Sequence, residues 1–388
     1  MEVKQVEGTT AAAAAATSSW SELPADLIGQ VLLRLPSLAD RVRLRAVCRP
    51  WRTDAKRQAA LPPPLPWFAL RDGGLVDHLG APVRRCAPIL REGVTDYLAV
   101  DNLAFLVHKR VGCSLVNPLS ASSSAAEETP LPQLANAVLR AMNNSMFYTV
   151  GKTKMPYVKV ILSSPLDSSP DPLVAALILE GYYVAISACK RQDATGFGSV
   201  SDWTRKEIHR IPGKDYRMHI ADIVFLNGRL YALTVKEGLY VFEPNSAKCD
   251  GKLFMVRRWM RLPLNVRLGD LDETFLFEVF EADLSTTPCQ WRKVDSLGGH
   301  AIFLGSECTK FVCASKCVGG VQEDCIYFMH RTFDNPSREY SGSCVDPLGD
   351  SGVYNMTNRR ITPLLPEAVV AKLYLKRQFL TWFFPADV

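Results

Sequence analysis

The apolar positions Leu27, Ile28, Val31, Leu32 and Leu35 follow an i, i+1, i+4, i+5, i+8 spacing, which lays one broad apolar stripe along a helix. Pro24 suits the first turn, where a missing N–H costs nothing; Asp26 favours the positive helix end, and Pro36 stops the helix. Ser37, with Asp40 three residues on, has the arrangement of a capping box for a second helix, whose buried face is read as Leu38, Val42 and Ala46. Val47, Cys48 and Trp51 lead into a short third helix ending near Lys56-Arg57. Three helices in ~40 residues bury too little apolar surface to stand alone, so the unit is expected to lean on a partner. Residues 1–17 are Ala/Thr-rich with no apolar period and read as a disordered tail. The helical unit thus spans 18–60. Leu61-Pro62-Pro63-Pro64-Leu65-Pro66 reads as a rigid polyproline linker over 61–66.

From residue 67 to 388 the period becomes that of strands, with no clear helix. Tyr97 to Val100, Tyr157 to Leu162 and Tyr182 to Ile186 are examples. Asn227-Gly228 separates the apolar runs 222–226 and 229–233, a strong hairpin signal because both turn positions need positive φ. Glu237-Gly238 leads to another strand, Leu239 to Phe242. The pattern predicts a succession of antiparallel strands. Trp203 and Trp291 sit on short polar-flanked strands, with Trp259 between them off the midpoint, a weak repeat on the ~40–50-residue scale of four-stranded propeller blades. Tryptophans at such spacing read as blade packing before they read as a recognition surface. A pair of β-sandwiches is the alternative architecture.

Composition narrows the function classes. The 388 residues are 47% hydrophobic and 22% charged, ordinary for one large domain or a small plus a large one. A net charge of +5 is too mild to argue for nucleic acid. Arg34, Arg41, Arg43, Arg45, Arg49, Arg52, Lys56 and Arg57 make the helical unit basic, but no DNA-binding pattern accompanies them, so no nucleic-acid partner is expected. Eleven cysteines without regular spacing read as reduced thiols of a protein in the cytoplasm or nucleus. The longest strongly apolar stretch, Leu173 to Leu179, falls far short of the ~20 residues that cross a bilayer, so no membrane is expected either. The sequons at Asn143 and Asn355 are then expected to go unused.

Candidate chemistry is thin. Gly151-Lys152-Thr153 lacks the first glycine and the following helix of a phosphate loop, and Gly196-Phe197-Gly198 lacks the third glycine of a dinucleotide fingerprint. Cys308, Cys313, Cys317 and Cys325, with His300 and His330 nearby, do not form paired zinc knuckles. No nucleophile–base grouping has a recognisable local motif, and the acids Glu278, Glu281 and Asp283 read as exposed strand and turn residues. No metal, cofactor or catalytic residue is expected.

The segment from Trp20 to Arg52, with Leu23-Pro24, Leu27-Ile28, Leu35-Pro36 and Val47-Cys48-Arg49-Pro50-Trp51-Arg52, resembles an F-box. The resemblance implies that Leu23, Pro24, Leu27, Ile28, Val31 and Leu38 face a Skp-type adaptor, which joins a cullin and a RING subunit. Val47, Cys48 and Trp51 would close the motif's own core and border that contact. Helix anchors spaced i, i+3, i+4, i+7 are how an amphipathic helix fills an apolar groove. Without the Leu-Pro and Cys-x-x-Trp elements the same stripe would read as internal packing.

The rest is similar to the plant domain-of-unknown-function family 295, of KIB-type β-propellers often joined to an F-box. The matching stretches are Asn117 to Ser120, Asp222 to Phe242, Leu297 to Gly305, Asp324 to Phe328, Gly352 to Tyr354 and Trp382 to Pro385. The expected fold is mainly β: a propeller of about six blades, or seven, over 67–388, preceded by a small three-helix F-box. The implied function is the non-catalytic substrate-recognition subunit of an SCF-type cullin–RING ubiquitin ligase, whose propeller binds an unknown target protein. Two alternatives stand beside it. One is an adaptor-binding protein acting outside ubiquitination. The other is a small-molecule-binding propeller with a vestigial F-box, which would need polar residues converging at the central channel.

Overall fold

The computed structural model describes residues 20–58, 61, 63–70, 72–83, 89–109, 112–119, 128–131, 134, 157–164, 172–180, 183–190, 204–209, 220–234, 237–243, 252–261, 273–286, 289–305, 308–317, 319–329, 350–374 and 380–385. The N-terminal tail, the Asn143 sequon, Gly151-Lys152-Thr153, Gly196-Phe197-Gly198, Trp203 and His330 lie outside them.

Three helices come first: α1 (Ala25–Leu33), α2 (Leu38–Arg45) and α3 (Arg49–Arg57). Ile28, Leu32, Leu44 and Ala55 form their small core, with Leu23, Leu35, Trp51 and Leu61 packed against it. Gly29 is buried where α1 meets the end of α3, and the absence of a side chain lets Gln58 reach across and donate to the Ala25 carbonyl at 3.2 Å.

α2 departs from expectation at both its start and its face. Ser37 is the N-cap but makes no side-chain cap hydrogen bond, and Asp40 pairs instead with Arg43 at 2.5 Å. The buried residues are Leu38, Arg41 and Leu44, while Val42 and Ala46 are exposed. Arg41 is wholly buried, and its Nε donates to the Leu35 carbonyl at 2.9 Å. The guanidinium thereby satisfies a carbonyl beyond the end of α1, where the helix itself supplies no partner.

The proline segment is not a free spacer. Leu61 packs on the helical core, and the Leu65 N–H donates to the Pro36 carbonyl at 3.0 Å, so the chain doubles back along the α1–α2 turn. Gly319, at φ +106, closes the junction: a Cβ there would stand 2.5 Å from Pro36 Cβ and 2.9 Å from Leu65 Cδ1. Only glycine fits that backbone and that space. Leu38 shares a cluster with Trp67 and Phe383. The helical unit is therefore docked on the β domain.

The described β residues form six sheets, which follow the chain. The first pairs β1 (Trp67–Leu70) with β2 (Leu75–Val76). The second holds β3 (Val94–Val100), β4 (Leu103–His108), β5 (Gly112–Val116) and β6 (Thr129–Pro130). The third is β7 (Tyr157–Leu162), β8 (Leu173–Glu180) and β9 (Tyr183–Lys190). The fourth contains β10 (Thr204–His209), β11 (Ile220–Leu226), β12 (Arg229–Thr234) and β13 (Leu239–Glu243), in the order β10-β13-β12-β11. The fifth is β14 (Phe254–Arg261), β15 (Glu273–Asp283) and β16 (Gln290–Val294).

The sixth comprises β17 (His300–Leu304), β18 (Lys310–Cys313), β19 (Cys325–Phe328), β20 (Gly352–Asn355) and β21 (Arg360–Thr362), in the order β18-β17-β19-β20-β21. A helix, α4 (Glu367–Tyr374), then precedes β22 (Leu380–Phe383), which pairs antiparallel with β1 and so joins the last strand to the first sheet. The predicted Asn227-Gly228 hairpin is present, with φ of 49° and 75° at the two turn residues.

Packing closes the circle. Phe105 and Val160 share a cluster across the second and third sheets, Leu177 and Ile223 across the third and fourth, and Tyr231 and Ala282 across the fourth and fifth. Phe277 and Ile326 join the fifth to the sixth, Phe303 and Trp382 the sixth to the first, and Trp67 and Tyr97 the first to the second. Two features escape the all-antiparallel expectation. β17 and β19 run parallel, with Ala301 opposite Cys325, and α4 stands where no helix was expected. Buried Val369 of α4 packs in the cluster of Phe303 and Trp382.

Candidate functional site

The apolar stripe of α1 divides into two faces. Ile28 and Leu32 are 0% exposed and fill the helical core, whereas Leu27 and Val31 are 49% and 41% exposed. Pro24, at the N-cap, is exposed as well. Pro24, Leu27 and Val31 stand at i, i+3 and i+7, which puts them on one side of the helix. Apolar side chains held in water along one side of a helix are what an incoming groove would cover.

The segment before α1 is tied down by the third helix. The Trp51 indole N–H donates to the Trp20 carbonyl at 2.8 Å, and half-buried Leu23 packs against the helical core. Trp51 therefore positions the segment that delivers Leu23-Pro24. Trp20 itself is 79% exposed.

The positions named from the resemblance are divided between core and surface. Ile28 lies in the helical core and Leu38 in the cluster with Trp67, so neither presents a side chain outward. Val47 is 62% exposed and does not close the motif's core; Cys48 is half-buried. The cause is common to all. A three-helix unit docked on sheets spends its inner apolar residues on itself and on the β domain, and leaves only the outer ones exposed.

The tryptophans do not behave alike. Trp291 packs between the fourth and fifth sheets and donates to the Glu237 carbonyl at 3.1 Å. Trp259 is 43% exposed on β14, with its N–H on Glu278 at 2.9 Å. The Glu278 carboxyl is held below its ordinary range first by the Lys293 ammonium and then by this indole. Trp259 is thus a surface residue.

A His–Ser–carboxylate grouping does occur: His108 Nε2 is 2.8 Å from Ser114 Oγ, whose hydroxyl donates to Glu128 at 3.3 Å. The carboxylate lies 3.8 Å from that same ring nitrogen, and Ser114 is 3% exposed. A nucleophilic triad places the acid on the opposite nitrogen and leaves the hydroxyl accessible. This grouping has neither feature, and of its three residues only Ser114 is buried, His108 and Glu128 being half-buried. Among the described residues no three His, Cys, Asp or Glu side chains are placed to hold a metal. Cys325 contacts Gln322 and Asn355, and the Asn355 amide nitrogen of the second sequon is engaged with its sulfur. No described helix is long and apolar enough to cross a membrane.

One constellation is invisible in the sequence. Lys159 of β7 pairs with Asp222 of β11, and Lys310 of β18 pairs with Asp101 of the β3–β4 turn at 2.5 Å. Partners 63 and 209 residues apart carry no local signature.

An outward-faced helical motif docked on a circle of packed sheets defines an F-box protein with a C-terminal β-propeller. The F-box domain model matches residues 20–53, and the KIB1-4 beta-propeller model matches residues 94–355. The chain belongs to the KIB1-4 β-propeller family. It is also similar to the F-box protein At4g35733 of Arabidopsis thaliana, 22% identical over 385 residues that cover 87% of this chain and 94% of that protein. This is a plant F-box protein. F-box domains as a class bind Skp-type adaptors and serve as substrate receptors.

Proposed function

We propose that this chain is a substrate receptor of an SCF-type cullin–RING ubiquitin ligase, seating the outer face of α1 on a Skp-type adaptor and presenting a target protein on the propeller. The observation that carries the reading is the division of α1, with Ile28 and Leu32 spent on the core while Leu27 and Val31 stay in water. The receptor's contribution is proximity, which raises the effective concentration of a target lysine at the charged conjugating enzyme. The junction of Pro36, Leu65 and Gly319 supports this, since a fixed F-box holds the target at a set distance. The free thiols of Cys48, Cys113, Cys289, Cys308, Cys313, Cys317 and Cys325 suit a reducing compartment, cytoplasm or nucleus.

The test is co-purification from plant cells of the tagged chain and of a Leu27→Asp/Val31→Asp variant, with and without proteasome inhibition. Adaptor and cullin are expected with the wild type alone, and target proteins with both, more abundant beside the variant. Equal recovery of adaptor by the variant would remove α1 as the docking face. Targets of equal abundance in all conditions would place the chain outside ubiquitination.

A further inference from the structure

The second to sixth sheets converge on a cavity of about 590 Å³, a size that suits a drug-sized molecule. Its wall is mostly aliphatic and aromatic. Two of those wall residues, Val224 of β11 and Phe311 of β18, are 43% and 40% exposed, so apolar surface stands in water inside the propeller. The polar groups are few. Lys159, with a side chain 7% exposed, meets Asp222; Lys310 meets Asp101 at 2.5 Å and lies 4.9 Å from the Phe384 ring. Both lysines and Asp101 act on one wall thiol, Cys308, which burial above all pushes up to about 12, with Asp101 adding to that rise. All four residues of the two ion pairs line this one cavity.

We propose that this cavity binds a small organic acid, its apolar body against Val224 and Phe311 and its single anionic head between Lys159 and Lys310. An ammonium has three donors, and one carboxylate partner leaves others for a second acceptor. A cationic head would add positive charge beside Lys159, which is buried and unscreened by solvent. Lys159, Lys252 and Lys310 line the cavity with Asp101 and Asp222, and each lysine already has a carboxylate partner, Lys252 in Glu281, so an anion would join these ion pairs as a second acceptor. The cavity is assembled from five sheets, which is why the second alternative reading of the sequence could not be weighed until they were brought together. The site is compatible with the receptor role and independent of it.

The test uses 8-anilinonaphthalene-1-sulfonate, an apolar dye with one negative charge, on the full chain carrying Leu27→Asp/Val31→Asp, so that the open face of α1 takes up no dye. Saturable single-site fluorescence is expected, displaced by decanoate and not by decanamide or decylammonium. Lys310→Gln, at a half-exposed position, is expected to weaken decanoate by about tenfold, the loss of one charge-assisted contact. Val224→Trp, which fills the cavity from an already exposed position, is expected to abolish dye binding at an unchanged melting temperature. No saturable dye binding, displacement by decanamide as good as by decanoate, or full dye binding by a folded Val224→Trp chain would each overturn the proposal.

Discussion

Leu27 and Ile28 are adjacent in the chain and opposite in fate. A single residue step turns a helix by about 100°, enough to move a side chain from the core to water. The stripe was legible in the sequence, but its division was not, because hydropathy does not say which apolar residue meets a neighbouring element. Arg41 shows the same limit from the polar side: in the sequence it only adds to the basic charge of the helical unit, yet it lies wholly buried, donating to the Leu35 carbonyl. Ile28→Ala is expected to cost about 2–5 kcal/mol in urea unfolding, as a buried large-to-small change does. Leu27→Ala is expected to stay within about 0.5 kcal/mol. Equal costs would return Leu27 to the core. His108 gives a pH signature. Burial first and the Arg91 charge second hold its pKa below the ordinary 6.5. The stability tied to this neutral ring is full above pH 6.5 and is lost as pH falls from there through the lower folded value. His108→Gln is therefore expected to lose less stability than the wild type between neutral and mildly acid pH. Identical losses in urea titrations would show that His108 is not responsible.

At the scale of elements, local chemistry wrote what could be read. Asn227-Gly228 announced its hairpin because both residues adopt positive φ, and the three helices were bounded by Pro24, Pro36 and the Cys48-to-Trp51 segment. What the sequence hid depends on distant pairing. The parallel β17–β19 contact has no turn to mark it, since β18 and a further loop lie between. α4 is short, and its Ala368, Val369 and Val370 run suits a strand as well as a helix. That the proline segment is not free-standing could not be read, because the residues that meet it, Pro36 and Gly319, lie in two other stretches of the chain. Gly319→Ala is expected to force those three apart and to speed hydrogen exchange at the Leu65 amide, with little change at core amides such as Phe105. An unaltered Leu65 amide would mean that the glycine does not hold the junction.

For the whole molecule, the F-box leaves the circle of sheets at its closing seam. Trp67, just after the proline segment, pairs with Phe383 of the last strand, and Leu38 of α2 packs into the cluster around them. The N-terminal motif and the two ends of the propeller therefore share one core, which gives the receptor reading its mechanical sense. The repeat was only faintly legible because the tryptophans that suggested it have different jobs, Trp291 between sheets and Trp259 at the surface. The central cavity was not legible at all. The most direct measurement is calorimetric titration of purified Skp-type adaptor into the full-length chain, wild type against Leu27→Asp/Val31→Asp. Two apolar anchors of about 1.5–3 kcal/mol each imply a loss of about 100-fold or more in affinity, with the melting temperature unchanged. Adaptor binding that survives both substitutions in a folded chain would contradict the account.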